Sequence, residues 1–212
     1  MPDSLIRTDP RFWVLSEALA SYASDEDDPP IHKGDVLQAA VSVVIRGQEE
    51  LDFLLIKRAT SERDPWSGHM ALPGGRRDES DADLAETARR ETLEETGVDL
   101  TRFGAPLGRL DDVAPNSVHL PKLTISSFVY GVPAHVEATV ASDEIDSVYW
   151  VPVSELRDPA NHCTVEIPLP GGPRDFPCFC LVDEHVWGLT HRIIEHFLEL
   201  YPNSDLEKLH SG

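Results

Sequence analysis

Apolar positions divide the chain into segments of different period. Phe12, Leu15, Leu19 and Tyr22 recur at helical spacing behind Pro10, which suits a first turn, so residues 11–22 read as an amphipathic helix. The acidic, proline-ended run at 24–30 has no core-forming power and reads as a linker. Residues 1–35 are therefore an N-terminal extension, with three destinations open to it: the core, a pocket edge, or a second subunit of a homodimer. The main domain spans 36–202, and 203–212 is a C-terminal tail. Its β-rich runs at 39–45 and 52–57 flank the polar turn Gly47-Gln48-Glu49-Glu50, which predicts a hairpin. Further strands are expected at 103–112, 123–132 and 147–151, and two more at 163–169 and 176–181 are parted by Gly171-Gly172-Pro173. A closing helix is predicted over 184–201, with Val186, Leu189, Ile193, Ile194, Phe197 and Leu198 as its apolar stripe.

Composition narrows the class. At 212 residues and 41% hydrophobic, the chain supports one good core. No apolar run approaches the length of a membrane span, and Met1-Pro2-Asp3-Ser4-Leu5 is not the start of a secretory signal, so a cytoplasmic location is expected. Cys163, Cys178 and Cys180 form no C-x-x-C pair; they read as reduced thiols, with zinc short of ligands. The net charge of −20 argues against nucleic-acid and anionic-membrane partners, which both need a positive surface. An anionic substrate could be accommodated only where metal ions and arginines invert the local field.

The candidate chemistry lies between Gly74 and Val98, where eight carboxylates and four arginines share one glycine-headed, glycine-ended segment. The pattern predicts a tight loop feeding a helix, with Ser80 as N-cap, Asp83 as its capping-box partner and Gly97 beyond the last turn. Glu91, Glu94 and Glu95 stand at i, i+3 and i+4 and share one helix face. Like charges so placed cost roughly 0.2–0.5 kcal/mol per pair, a cost that a bound cation would offset. Carboxylate oxygens suit a hard divalent ion such as Mg²⁺, which also takes water and phosphate oxygens. Arg58 and Arg63 could grip phosphate in two-point fashion or simply balance Glu62 and Asp64.

The segment resembles the signature of the Nudix hydrolases: Arg90-Glu91, Glu94-Glu95, Gly97 and Val98 match in register. One extra residue lies between Gly75 and Arg90, Asp81 or a neighbouring acid replaces the early glutamate, and Thr92 takes a position usually held by a bulky aliphatic residue. The insertion, the Pro73-Gly74-Gly75 run and the late Val186-Trp187-Gly188-Leu189-Thr190 segment are similar to the coenzyme A diphosphatase branch. The resemblance implies an α/β/α sandwich with a mixed central sheet and a catalytic loop-helix-loop. It also implies a diphosphate substrate bridged by Mg²⁺ or Mn²⁺. Glu91 and Glu95 would be direct ligands, Glu94 would support a second ion, and the Gly75 carbonyl is a further ligand. One of these glutamates or Glu144 would be the base, and Arg90 would tie the glycine loop to the helix. Glu144 is equally readable as an exposed loop acid. Gly74 and Gly75 would lie against the substrate with Arg58 and Arg63. Coenzyme A is the first expectation for the substrate, ahead of ADP-ribose or sugar nucleotides, oxidised nucleoside triphosphates, and a non-catalytic binding module. His69, Trp66, Asn116 and His119 read as loop and packing residues.

Overall fold

The computed structural model describes residues 5, 9–22, 36–61, 67–115, 122–169 and 171–201. Arg63, Trp66, Asn116, His119 and the acidic linker lie outside them. Helix α1 (Pro10–Tyr22) precedes strands β1 (Leu37–Gly47), β2 (Leu51–Arg58), β3 (Met70–Ala71) and β4 (Gly74–Arg76). Then come helices α2 (Leu84–Thr96) and α3 (Leu100–Phe103), and strands β5 (Ala105–Val113), β6 (Leu123–Val132) and β7 (Ile145–Pro152). After α4 (Val153–Arg157), strands β8 (His162–Ile167), β9 (Arg174–Leu181) and β10 (Glu184–Trp187) lead into α5 (Gly188–Leu200). The main sheet runs β3-β2-β1-β6-β5, with β4 paired to β1 and β7 to β2. It is mixed because β1 and β6 are parallel while the other pairs are antiparallel. A second sheet runs β10-β9-β8.

Strand β1 is buried on both faces, and its period of two sorts its side chains into two apolar layers. Val43 and Ile45 join Phe53, Leu55 and the buried residues of α1 and α5. Ala40 and Val44 join Leu54 and the α2 residues Leu84 and Ala88. The result is an α/β/α sandwich, the expected architecture, with α2 and the short α3 on the face of Ala40 and Val44.

Of the three destinations open to the extension, helix α1 takes the core. Phe12, Leu15 and Leu19 are fully buried. The Phe12 ring lies so close to Gly47 and Gly131 that a Cβ at Gly131 would come within 3.0 Å of it. Arg11 donates to the Gln48 and Glu49 carbonyls at 2.9 and 3.2 Å, fastening the helix to the β1–β2 turn.

Two expectations about element ends need correcting. Helix α2 starts at Leu84 with Asp83, not Ser80, as its N-cap. Asp83 accepts from the Glu86 amide at 2.6 Å, and the Glu86 carboxylate reaches back to the Ala82 amide at 2.8 Å. Ser80 instead donates to Asp78 inside the loop. The predicted helix over 184–201 is a strand followed by a shorter helix. Val182 and Asp183, at φ 48° and 64°, turn the chain back on itself, so residues 184–187 pair with β9. Gly188, at φ 68°, then redirects it into α5. Four residues cannot separate the two periods, and Val186 fits either pattern. Among the described residues no helix is long and apolar enough to cross a membrane.

Candidate active site

Strand β4 carries the glycines alongside β1, and α2 returns beneath them. Val41 pairs with Gly74 and Ala40 with Gly75. Two contacts explain why both positions are glycine. At Gly74 (φ 154°) a Cβ would fall 2.3 Å from the Ala40 carbonyl oxygen. At Gly75 it would fall 2.5 Å from the carboxylate carbon of Glu91. The first contact is with backbone; the second is with the end of a side chain, the Glu91 carboxylate.

The three glutamates of α2 have different surroundings. Glu94 is exposed, Glu91 half-buried and Glu95 buried. The helix turns Ala88, Thr92, Glu95 and Thr96 towards the sheet. Thr92 Oγ1 lies 2.7 Å from the Ala88 carbonyl oxygen and 2.8 Å from Ser42 Oγ, so the unusual threonine has a polar partner on β1. Glu95 Oε2 accepts the Gly74 amide at 2.9 Å, and Arg58 Nη1 stands 3.9 Å from Oε1. Burial outweighs these contacts and, with the charges of Glu91 and Glu144, pushes the Glu95 carboxyl up to about 8. Burial also raises Glu91, against the opposing pull of Arg90.

Arg90 joins helix and loop. Its guanidinium contacts Asp81 at 3.0 and 2.9 Å, the Arg76 carbonyl at 3.2 Å, Glu91 at 2.9 Å and Glu94 at 3.2 Å. Asp81 is buried and also accepts from Thr87 Oγ1 and the Asp78 amide. The Arg90 bonds hold its carboxyl down at about 2. Thr87 and Arg77, which donates to the Asp81 carbonyl at 2.7 Å, complete this clamp and were not singled out from the sequence. The signal for Thr87 was present, a polar residue on the buried face of the helix together with Thr92, Glu95 and Thr96.

Glu144 arrives on the loop before β7. Its carbonyl accepts the Ala59 amide at 2.8 Å, next to Arg58, and the Ala141 amide bonds the Glu95 carbonyl at 3.1 Å. The loop thus bridges the end of β2 and the end of α2, leaving Glu144 exposed but electrostatically coupled to Glu91 and Glu95. His69 belongs to the frame: its carbonyl accepts the Arg58 amide at 3.0 Å, and its ring packs edge-on against Trp187 with centroids 5.0 Å apart.

Glu91 and Glu95 bring carboxylate oxygens beneath the glycine strand, and the charge of Glu144 acts on both. Such oxygens fit a hard divalent ion. The NUDIX domain family model matches residues 36–167, which include every residue just described except Trp187. The chain belongs to the NUDIX family. An uncharacterized protein of Schizosaccharomyces pombe is 36% identical over 150 residues, covering 61% of this chain and 46% of that protein. The chain thus spans about half the length of that relative. A Yersinia pestis protein named as an uncharacterized Nudix hydrolase, NudL, is 27% identical over 162 residues, covering 76% of this chain and 78% of that protein. Among solved structures, a MutT/nudix family protein from Enterococcus faecalis shares the fold at a TM-score of 0.51 and 16% identity, covering 91% of this chain and 73% of that one.

Proposed function

We propose that the protein is a divalent-metal-dependent diphosphatase that cleaves coenzyme A or a derivative into 3′,5′-ADP and phosphopantetheine. The observation that carries the reaction class is the meeting of Glu91 and Glu95 beneath the Gly74-Gly75 strand. One glycine donates to Glu95, and the other leaves room for the Glu91 carboxylate. In this reading Glu91 and Glu95 hold the ion, Glu94 and the Gly75 carbonyl assist, and Mg²⁺ or Mn²⁺ would serve. The bound ion would neutralise the diphosphate and acidify the attacking water. Arg58, beside Glu95 at the end of β2, grips a phosphate oxygen, and Arg63 is assigned the same task. Glu144, exposed on its bridging loop, accepts the proton of the attacking water. Arg90 and Asp81 hold the loop still and touch no substrate.

The substrate assignment rests on sequence similarity to the coenzyme A branch, through the inserted residue and the Val186-Trp187-Gly188-Leu189-Thr190 segment. Trp187 of that segment packs on His69, whose carbonyl accepts the amide of Arg58 at the end of β2. A panel of coenzyme A, ADP-ribose, sugar nucleotides and nucleoside triphosphates, assayed with Mg²⁺ and with Mn²⁺, tests the assignment by product mass. Phosphopantetheine and 3′,5′-ADP are expected. Pyrophosphate released from a triphosphate, with coenzyme A left intact, would overturn it.

A further inference from the structure

The β10-β9-β8 sheet brings four metal-binding side chains together outside the hydrolytic site. Cys163 on β8 pairs with Cys178 on β9, and Cys180 on β9 pairs with His185 on β10. Cys178 and Cys180 are two residues apart on one strand, so their side chains share a face. Paired residues face the same way, which puts all four donors on that face, running diagonally across three strands. The three Sγ atoms and the nearest imidazole nitrogen all lie within 4.8 Å of one another. Cys178 is buried, Cys163 and Cys180 are half-buried, and His185 is exposed at the mouth.

We propose that Cys163, Cys178, Cys180 and His185 bind one zinc ion that fastens this sheet. Chemistry selects the ion. Cys163 Sγ is placed against the sulfurs of both Cys178 and Cys180, and one sulfur can share a disulfide with only one of them. Any single disulfide would leave the third thiol pressed against it. Three thiolates and an imidazole are instead a complete tetrahedral set for zinc, with bonds of about 2.3 Å to sulfur and about 2.0 Å to nitrogen. Four protein ligands leave no open position for water, so the ion is structural. Soft sulfur donors also separate it from the oxygen-lined hydrolytic site. The expectation that zinc is short of ligands is thereby corrected: His185 becomes available because residues 184–187 form a strand.

The sheet gains from a fastening. Its strand β8 alternates exposed and half-buried positions, so little apolar burial holds it. Strand β10 meanwhile touches the active-site frame twice, through the Lys57–Glu184 ion pair and the Trp187–His69 ring contact. Three of the four ligands lie beyond the residues that match the NUDIX domain.

The test is metal content and the spectrum of the cobalt-substituted protein, neither of which depends on hydrolysis. Protein purified under reducing conditions without chelator should carry one zinc per chain, and Glu95→Gln should keep it. Cobalt(II) in its place should give the visible bands of a tetrahedral thiolate complex. His185→Ala alters an exposed position and should fold normally, yet weaken zinc binding at least about tenfold and change the cobalt spectrum. Removing zinc should lower the thermal midpoint, and Zn²⁺ but not Mg²⁺ should restore it. Failure of the reduced protein to take up added Zn²⁺ would overturn the proposal, as would zinc that Glu95→Gln loses and His185→Ala retains.

Discussion

Replacing Glu95 by glutamine separates the cost of burying this side chain from its use. The carboxyl has an ordinary value of 4.5 and is pushed up to about 8 in the metal-free fold, chiefly by burial. The folded state therefore holds the proton more tightly than the unfolded chain. The associated stability is fully present below pH 4.5 and is lost as pH rises towards 8. At pH 7 the difference is about 2.5 pH units, or about 3 kcal/mol at 1.36 kcal/mol per unit. Glutamine imitates the protonated form, and its amide oxygen can still accept the Gly74 amide. In chelator, Glu95→Gln should thus be more stable than the parent by about 3 kcal/mol at pH 7 and about equal to it at pH 4.5. Mg²⁺ should stabilise the parent and leave the variant nearly unchanged, while Mg²⁺-dependent turnover falls by about two orders of magnitude or more. Urea unfolding at several pH values, with chelator and with Mg²⁺, measures all but the turnover. A variant less stable than the parent at pH 7 in chelator, or an offset that does not vary with pH, would show that burial does not hold the Glu95 proton.

Other perturbations separate fold from function. Gly74→Ala would drive a Cβ into the Ala40 carbonyl and should cost about 3 kcal/mol or more of stability. Gly75→Ala meets only the movable end of Glu91 and should keep the thermal midpoint while weakening Mg²⁺ dependence, as melting and turnover assays would show. Asp81→Asn removes a carboxylate held at about 2 against an ordinary 3.8, so it should cost about 2 kcal/mol at pH 7. That deficit should shrink as pH falls from 3.8 towards 2, because protonation disables the parent's own Asp81; urea midpoints at pH 7 and pH 3 check it. Phe12→Ala empties a fully buried site between two glycines and should cost about 3–5 kcal/mol by the same measurement, although it lies in the N-terminal extension.

Much of this site is legible along the chain because its main parts are local. The i, i+3, i+4 spacing puts Glu91, Glu94 and Glu95 on one helix face whatever the helix packs on. Which of them is buried depends on how α2 rolls against β1, and that roll is set by Ala88 and Thr92 meeting Ala40, Val44 and Ser42 across about 50 positions. The N-cap was misplaced because Ser80 and Asp83 are both good caps, and Asp81 uses the intervening turn for Arg90. The cysteine cluster was invisible for a different reason. His185 becomes a partner only once Val182 and Asp183 adopt left-handed conformations, rarely taken by valine, so the turn carried no glycine signal.

In the proposed site, the buried Glu95 and its neighbour Glu91 hold a divalent ion under the glycine strand. Electron paramagnetic resonance of Mn²⁺ titrated into the protein reads that binding directly, because free ion gives a sharp signal that protein-bound ion loses. Mn²⁺ should bind the parent saturably, competed by Mg²⁺ and strengthened by a non-hydrolysable diphosphate, and this binding should be lost in both Glu91→Gln and Glu95→Gln. Unaltered Mn²⁺ binding in those two variants would contradict this metal site.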